Sequence, residues 1–169
     1  VSEGDQLPPA VTAIGNLSTL VHEIEESLPR TTDWIPAEIA AHRERQQQAV
    51  MDGANAGLTP GRAAAAIRDA ATGVRRTTVD AGAHMFPAMA LLPADAPNRI
   101  LISNGLSTMG YALPAAIGAA LLAPREPVLA TTGDAGLLMC LAELRTAARE
   151  GLRVVVVVFA DEELSLIRI

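Results

Sequence analysis

The sequence predicts an α/β domain, a doubly wound parallel sheet with helices on both faces, and three observations carry that prediction. From residue 58 onward, short β-branched or apolar runs alternate with segments of helical spacing, an order that calls for parallel crossover connections. The run 154–159 is wholly apolar, Val-Val-Val-Val-Val-Phe, as suits a parallel strand covered on both faces. Between the runs at 127–131 and 154–159 lie Gly133-Asp134-Ala135-Gly136 and a helical pattern over 137–150. That order describes a strand, a glycine-rich turn carrying one carboxylate, a helix and a second strand.

Each element has a local reason. Residues 16–28 place Leu17, Leu20, Val21, Ile24 and Leu28 at helical spacing, stopped by Pro29. The stretch Thr31-Thr32-Asp33-Trp34-Ile35-Pro36 is a helix-start signal for a polar helix through Arg43-Glu44-Arg45-Gln46-Gln47-Gln48. The turn-forming run Asp52-Gly53-Ala54-Asn55-Ala56-Gly57 marks a boundary, dividing the chain into 1–57 and 58–169. Thr59-Pro60 caps a helix over 63–71. A strand follows at 76–79 and a short helix at 85–92 despite Pro87, then a strand at 99–103 and a helix at 111–122. The strand at 127–131, the helix at 137–150 closed by Gly151, and the strand at 154–159 complete the series. In open sheets of this kind ligands sit at the carboxyl ends of the strands. Asp80, Asn104, Asp134 and Asp161 each follow a predicted strand, so the polar residues gather on one edge.

The turn at 133–136 suggests the ligand. A helix beginning there offers unpaired N–H groups and the positive end of its dipole to an anion, and Asp134 can coordinate a hard cation such as Mg²⁺ bridging to phosphate. Asp134 can equally serve only as the cap of its own helix. The net charge of −6, with no basic cluster longer than Arg75-Arg76, argues against a nucleic-acid surface. Cys140 is the single cysteine, which excludes an internal disulfide or a cysteine-rich metal site. No run reaches the length of a membrane helix and the start lacks a basic signal-peptide segment, so a cytoplasmic protein is expected.

Several segments together resemble a known family. Thr132-Gly133-Asp134-Ala135-Gly136, the Leu141-Ala142-Glu143-Leu144 helix, Arg149-Glu150-Gly151-Leu152 and the strand to Asp161 resemble the thiamine-diphosphate motif of acetolactate synthase-like enzymes. Asp80-Ala81-Gly82-Ala83-His84 is similar to a phosphate-side turn of that family. Gly105-Leu106-Ser107-Thr108-Met109-Gly110 through Gly118 is similar to its pyrimidine-side loop and helix. The agreement covers roughly residues 58 to 169.

The resemblance implies the C-terminal cofactor-diphosphate and Mg²⁺ domain of a lyase or carboligase acting on 2-keto acids. It implies that Gly82, Ala83 and His84 lie along the diphosphate, with His84 hydrogen bonding a terminal phosphate oxygen, and that Gly133, Asp134, Ala135 and Gly136 form the metal and diphosphate turn. Met109 would wedge beneath the cofactor and hold its rings in a bent V, while Ser107 would offer its backbone carbonyl to the aminopyrimidine. His84 read by itself is an ordinary turn histidine, and Met109 by itself is core. The metal ligands implied are Asp134, the position of Ala160 and the backbone carbonyl of Glu162. Here the sequence departs from the family: Ala160 stands where the family has a metal-binding Asn, Ala135 at the second Gly of G-D-G, Ala83 where close relatives often have Gln, and Ser107 where Gly is usual.

The glutamate that serves the aminopyrimidine belongs, in the family, to an N-terminal pyrimidine-binding domain, and nothing in this sequence matches it. The segment Leu164-Ser165-Leu166-Ile167-Arg168-Ile169 should continue as an active-site helix. The expectation is therefore an incomplete domain, inactive alone, working in a homo-oligomer or with a partner chain that carries the missing domain. A nucleotide-binding Rossmann domain is disfavoured because no G-x-G-x-x-G follows a strand. A degenerate assembly module that keeps the fold without the cofactor is the alternative the Ala replacements leave open.

Overall fold

The computed structural model describes residues 12–28, 34–52 and 57–161, and the chain divides into two compact units, Val1–Ile39 and Ala40–Ile169. In the first, α1 spans Leu17–Ser27, and the Asn16 side chain caps it by accepting from the Ser18 and Thr19 N–H groups at 3.0 and 3.3 Å. Its Leu17, Val21 and Ile24 are exposed. The stop at Pro29 and the start signal at 31–33 lie outside the described residues, as do residues 53–56 of the expected boundary. The polar helix expected after Pro36 forms as α2, Pro36–Met51.

The second unit carries the alternation that the sequence predicts. Its elements are α3 (Pro60–Ala70), β1 (Arg76–Val79), α4 (Met85–Leu91), β2 (Ile100–Ile102) and α5 (Ala112–Leu122), then β3 (Val128–Gly133), α6 (Asp134–Cys140), α7 (Glu143–Arg149) and β4 (Val154–Phe159). Thr59 caps α3 by accepting the Arg62 N–H at 3.2 Å, with Pro60 in the first turn, where a missing N–H costs nothing. The four strands are parallel in the order β2-β1-β3-β4.

Alternation along each strand sends neighbouring side chains to opposite faces. On one face Leu101, Val128, Ala130, Val154 and Val156 pack against the small residues Ala112, Ala116, Ala119 and Ala120 of α5. On the other, Val79, Ile100 and Ile102 meet Ala88 and Leu92 at α4 and Ile67 of α3. Alanine along α5 brings that helix close to the sheet, and the Thr78 hydroxyl ties its first turn by donating to the Ala112 carbonyl at 2.7 Å. The doubly wound arrangement is therefore present, with helices on both faces.

The helix expected over 137–150 differs in the structure. β3 runs on to Gly133, α6 begins at Asp134 without an intervening turn, and the helix breaks before Glu143. Leu141 and Ala142 keep right-handed helical backbone angles. The break is a tightening of the spiral: the Leu144 and Arg145 N–H groups donate to Leu141 and Ala142, three residues back, at 3.2 and 3.1 Å. At the far end Gly151, with φ of +61°, closes α7 as expected. The Leu152 N–H reaches the Ala147 carbonyl at 3.0 Å and the Gly151 N–H the Ala148 carbonyl at 3.2 Å, the paired bonds of a glycine-terminated helix end.

Candidate functional site

Parallel strands place the residues that follow them on one edge. Asp80 comes directly after β1, Asn104 just beyond β2, Asp134 directly after β3 and Asp161 just beyond β4. The Gly82–His84 turn, the loop of Ser107 and Met109, and the Gly133–Gly136 segment all sit at this carboxyl edge.

His84 is 5% exposed and stacks on Phe159 of β4, ring centroids 5.2 Å apart at 21°. Gly82 makes room for it, since a Cβ there would stand 2.7 Å from the imidazole. One ring nitrogen hydrogen bonds to the Thr131 backbone carbonyl. Nε2 is buried and has no partner among the described residues. Burial pushes the imidazole below its ordinary pKa, against the opposing pull of Asp80, the Thr131 bond and Asp161. Nε2 is thus the ring nitrogen left to meet a ligand, as donor or as acceptor.

Met109 is half-buried in a loop tied back on itself. The Ser107 N–H donates to the Ser103 carbonyl and the Thr108 N–H to the Ser103 hydroxyl, each at 3.1 Å. Ser107 has φ of +48°, a left-handed conformation in which a glycine would be unstrained. Gly110, with φ of +76°, follows Met109.

Asp80 holds these segments together, a role that sequence reasoning did not assign to it. It is fully buried. Oδ1 accepts from the Ala81 and Tyr111 N–H groups at 3.1 and 3.0 Å, and Oδ2 from the Gly110 N–H at 3.0 Å and the Thr132 hydroxyl at 2.7 Å. Gly136 lies flush against this carboxylate: a Cβ there would collide with Asp80 Oδ2 and stand 2.8 Å from Thr132 Oγ1. The available signal was an acidic residue directly after the β-branched run Thr77-Thr78-Val79. Thr132 was read only as the first residue of the 132–136 motif, and Phe159 only as part of a strand.

The cation donors are sparser. Asp134 is half-buried at the start of α6, and its Oδ1 accepts from the Ala135 N–H at 2.7 Å. Ala160 is exposed beyond β4 and brings only a methyl group, and Glu162 lies outside the described residues. Among the described residues no group of three or more His, Cys, Asp or Glu is placed to hold a metal ion. With only seven residues in α6, the helix dipole is short, and a carboxylate already occupies its first position. Cys140 is half-buried with its thiol directed at the Gly136 carbonyl, 3.5 Å away, and burial raises its pKa, as do Asp80 and Glu143. It has the character of an inert packing thiol.

Comparison with known proteins matches this region. Residues 80–169 fit the family described as thiamine pyrophosphate enzyme, C-terminal TPP binding domain. The chain is 41% identical over 90 residues to acetolactate synthase isozyme 1 large subunit of Escherichia coli, covering 53% of this chain and 16% of that protein. It is 31% identical over 169 residues to the catabolic acetolactate synthase of Raoultella terrigena, covering 95% of this chain and 30% of that protein. It is 27% identical over 164 residues to the acetolactate synthase of Bacillus subtilis, covering 94% and 29%. The chain thus spans less than a third of the length of these relatives. Among the described residues no helix is long and apolar enough to cross a membrane.

Proposed function

Because the chain belongs to the thiamine pyrophosphate enzymes through their C-terminal cofactor-binding domain, we propose that the carboxyl edge of its sheet binds the diphosphate of thiamine diphosphate. The whole protein would be an acetolactate synthase-like lyase or carboligase acting on 2-keto acids. One observation carries the reading: the buried His84 Nε2 has no partner among the described residues. An unsatisfied buried polar atom costs on the order of 1–3 kcal/mol, and a phosphate oxygen is a partner that repays it. The site is prepared for that ligand by Gly82, which clears the ring, and by Phe159, which fixes its plane.

The remaining roles are those that the family resemblance implies. His84 holds a terminal phosphate oxygen, Gly82 and Ala83 line its approach, and Gly133, Ala135 and Gly136 carry backbone past the diphosphate. Asp134 and phosphate oxygens hold Mg²⁺, with the Glu162 backbone carbonyl as a further ligand. Water stands in for the side-chain oxygen that Ala160 does not provide. Met109 supports the bend of the cofactor and Ser107 turns its backbone carbonyl toward the aminopyrimidine. When bound, thiamine diphosphate supplies the carbanion chemistry that side chains lack. The pyrimidine end needs a second domain, from the same or another chain in an oligomer. Leu106, Leu138 and Met139 are exposed by 89%, 70% and 65%, which supports a covered surface.

A specific observation favours a second reading. Ala160 offers no side-chain oxygen where the family has a metal-binding Asn, which favours a domain kept for assembly after losing its cofactor. Calorimetry separates the two: a saturable heat with thiamine diphosphate that requires Mg²⁺ supports the cofactor reading. No saturable heat with both present ends the cofactor reading and leaves the assembly reading.

A further inference from the structure

The groups assigned to the ligand lie on separate stretches of chain: the turn after β1, the loop before α5, and the junction of β3 and α6. A bent cofactor tolerates little error in the spacing of these stretches, because its diphosphate and its rings touch different ones. One side chain contacts every stretch. Asp80 sits at the end of β1, an inner strand of the sheet. It receives Gly110 and Tyr111 from the loop, Thr132 from β3 and Ala81 from its own turn, while Gly136 of α6 packs against it.

We infer that Asp80 is a positioning residue whose carboxylate sets the spacing between the Met109 loop and the Gly133–Gly136 segment. Its functional consequence rests on the diphosphate reading, but its geometry does not. The chemistry argues for more than core filling. A carboxylate buried without an ion pair to any Arg among the described residues is costly, and an apolar residue of similar size would stabilise a core better. Each oxygen instead accepts two bonds. That set suits the ionised, acceptor-only form. The bonds from Gly110 and Tyr111 flank Met109 on its C-terminal side, so the carboxylate fixes where that residue stands. Its charge also lies near His84 and supports that ring's basicity against burial.

Asp80→Asn turns an NH2 toward backbone donors and threatens the fold, so the decisive variant is Thr132→Val. It removes one donor to Oδ2 while keeping the side-chain shape. Thr132→Ser keeps the hydroxyl and serves as the rescue. The full chain is studied by amide NMR at a temperature where all variants are folded, and titrated with inorganic pyrophosphate and Mg²⁺. In Thr132→Val the Gly110 and Tyr111 amide resonances, joined to the substituted residue only through the Asp80 carboxylate, move and exchange roughly tenfold faster. Pyrophosphate affinity falls by about tenfold, the scale seen when supporting partners of a ligand shell are lost. Both effects reverse in Thr132→Ser. A role limited to stability lowers the melting temperature but leaves affinity of the folded chain unchanged, and that outcome overturns the inference. So do Gly110 and Tyr111 amides that stay unmoved. If the wild-type chain binds no pyrophosphate, the diphosphate reading falls, and the amide response alone decides whether Asp80 positions the loop.

Discussion

Gly136→Ala puts the packing at the carboxyl edge to a quantitative test. In an open helical position the change stabilises by about 0.5–1 kcal/mol, because alanine loses less backbone freedom on folding. Here the new methyl would collide with Asp80 Oδ2 and stand 2.8 Å from Thr132 Oγ1 and 3.3 Å from Asp80 Cγ. These atoms cannot swing away, since both Asp80 oxygens are tied to backbone N–H groups. Overpacking costs roughly 1–3 kcal/mol, and displacing the Thr132 hydroxyl forfeits a charge-assisted bond worth about 1.5–3 kcal/mol. The collision outweighs the propensity gain, for a net loss of about 1.5–5.5 kcal/mol. At about 2–4 °C per kcal/mol for a chain of this size, the melting temperature falls by about 3–22 °C. Gly118→Ala is the control, because it lies within α5 with nothing within 4 Å of the added methyl, and it raises the melting temperature slightly. Circular dichroism melts of both variants suffice. A Gly136→Ala protein melting at or above the wild type would refute the packing described for Asp80.

Other consequences are as direct. Ser107→Gly relieves the left-handed backbone at φ of +48°, and because the greater freedom of an unfolded glycine offsets part of the gain, stability in urea rises by no more than about 1 kcal/mol. His84 is held neutral by burial, so its contribution is complete above the ordinary histidine pKa of about 6.5 and is lost as the pH falls below it. Urea titrations at successive pH values should show that fall, and His84→Phe should flatten it. Ala160→Asn supplies a side-chain oxygen and strengthens Mg²⁺-dependent cofactor binding by about 10-fold or more, measured by equilibrium dialysis.

The fold was legible because its signals are local and repeated. Thr59-Pro60 starts α3, Gly151 closes α7, and the five valines before Phe159 form β4 where the sequence places it. The break between α6 and α7 was not legible. No Pro or Gly marks Leu141-Ala142, and the tighter hydrogen bonding there leaves both residues helical. At the site, the glycines and His84 could be picked out because the segments containing them resemble a known motif. Asp80 could not be given its role the same way. Its partners Gly110, Tyr111 and Thr132 stand 30, 31 and 52 residues away, and only the strand order β1-β3 with the loop above them brings these together. The stacking of Phe159 on His84 is hidden for the same reason.

The central claim is that a diphosphate settles on His84 Nε2, and nitrogen NMR of the His84 ring during titration with thiamine diphosphate and Mg²⁺ tests it most directly. The account predicts a saturable change in the Nε2 resonance as that buried, unpartnered nitrogen becomes hydrogen-bonded to the phosphate. An Nε2 resonance that stays unchanged in the folded chain at saturating cofactor would contradict it.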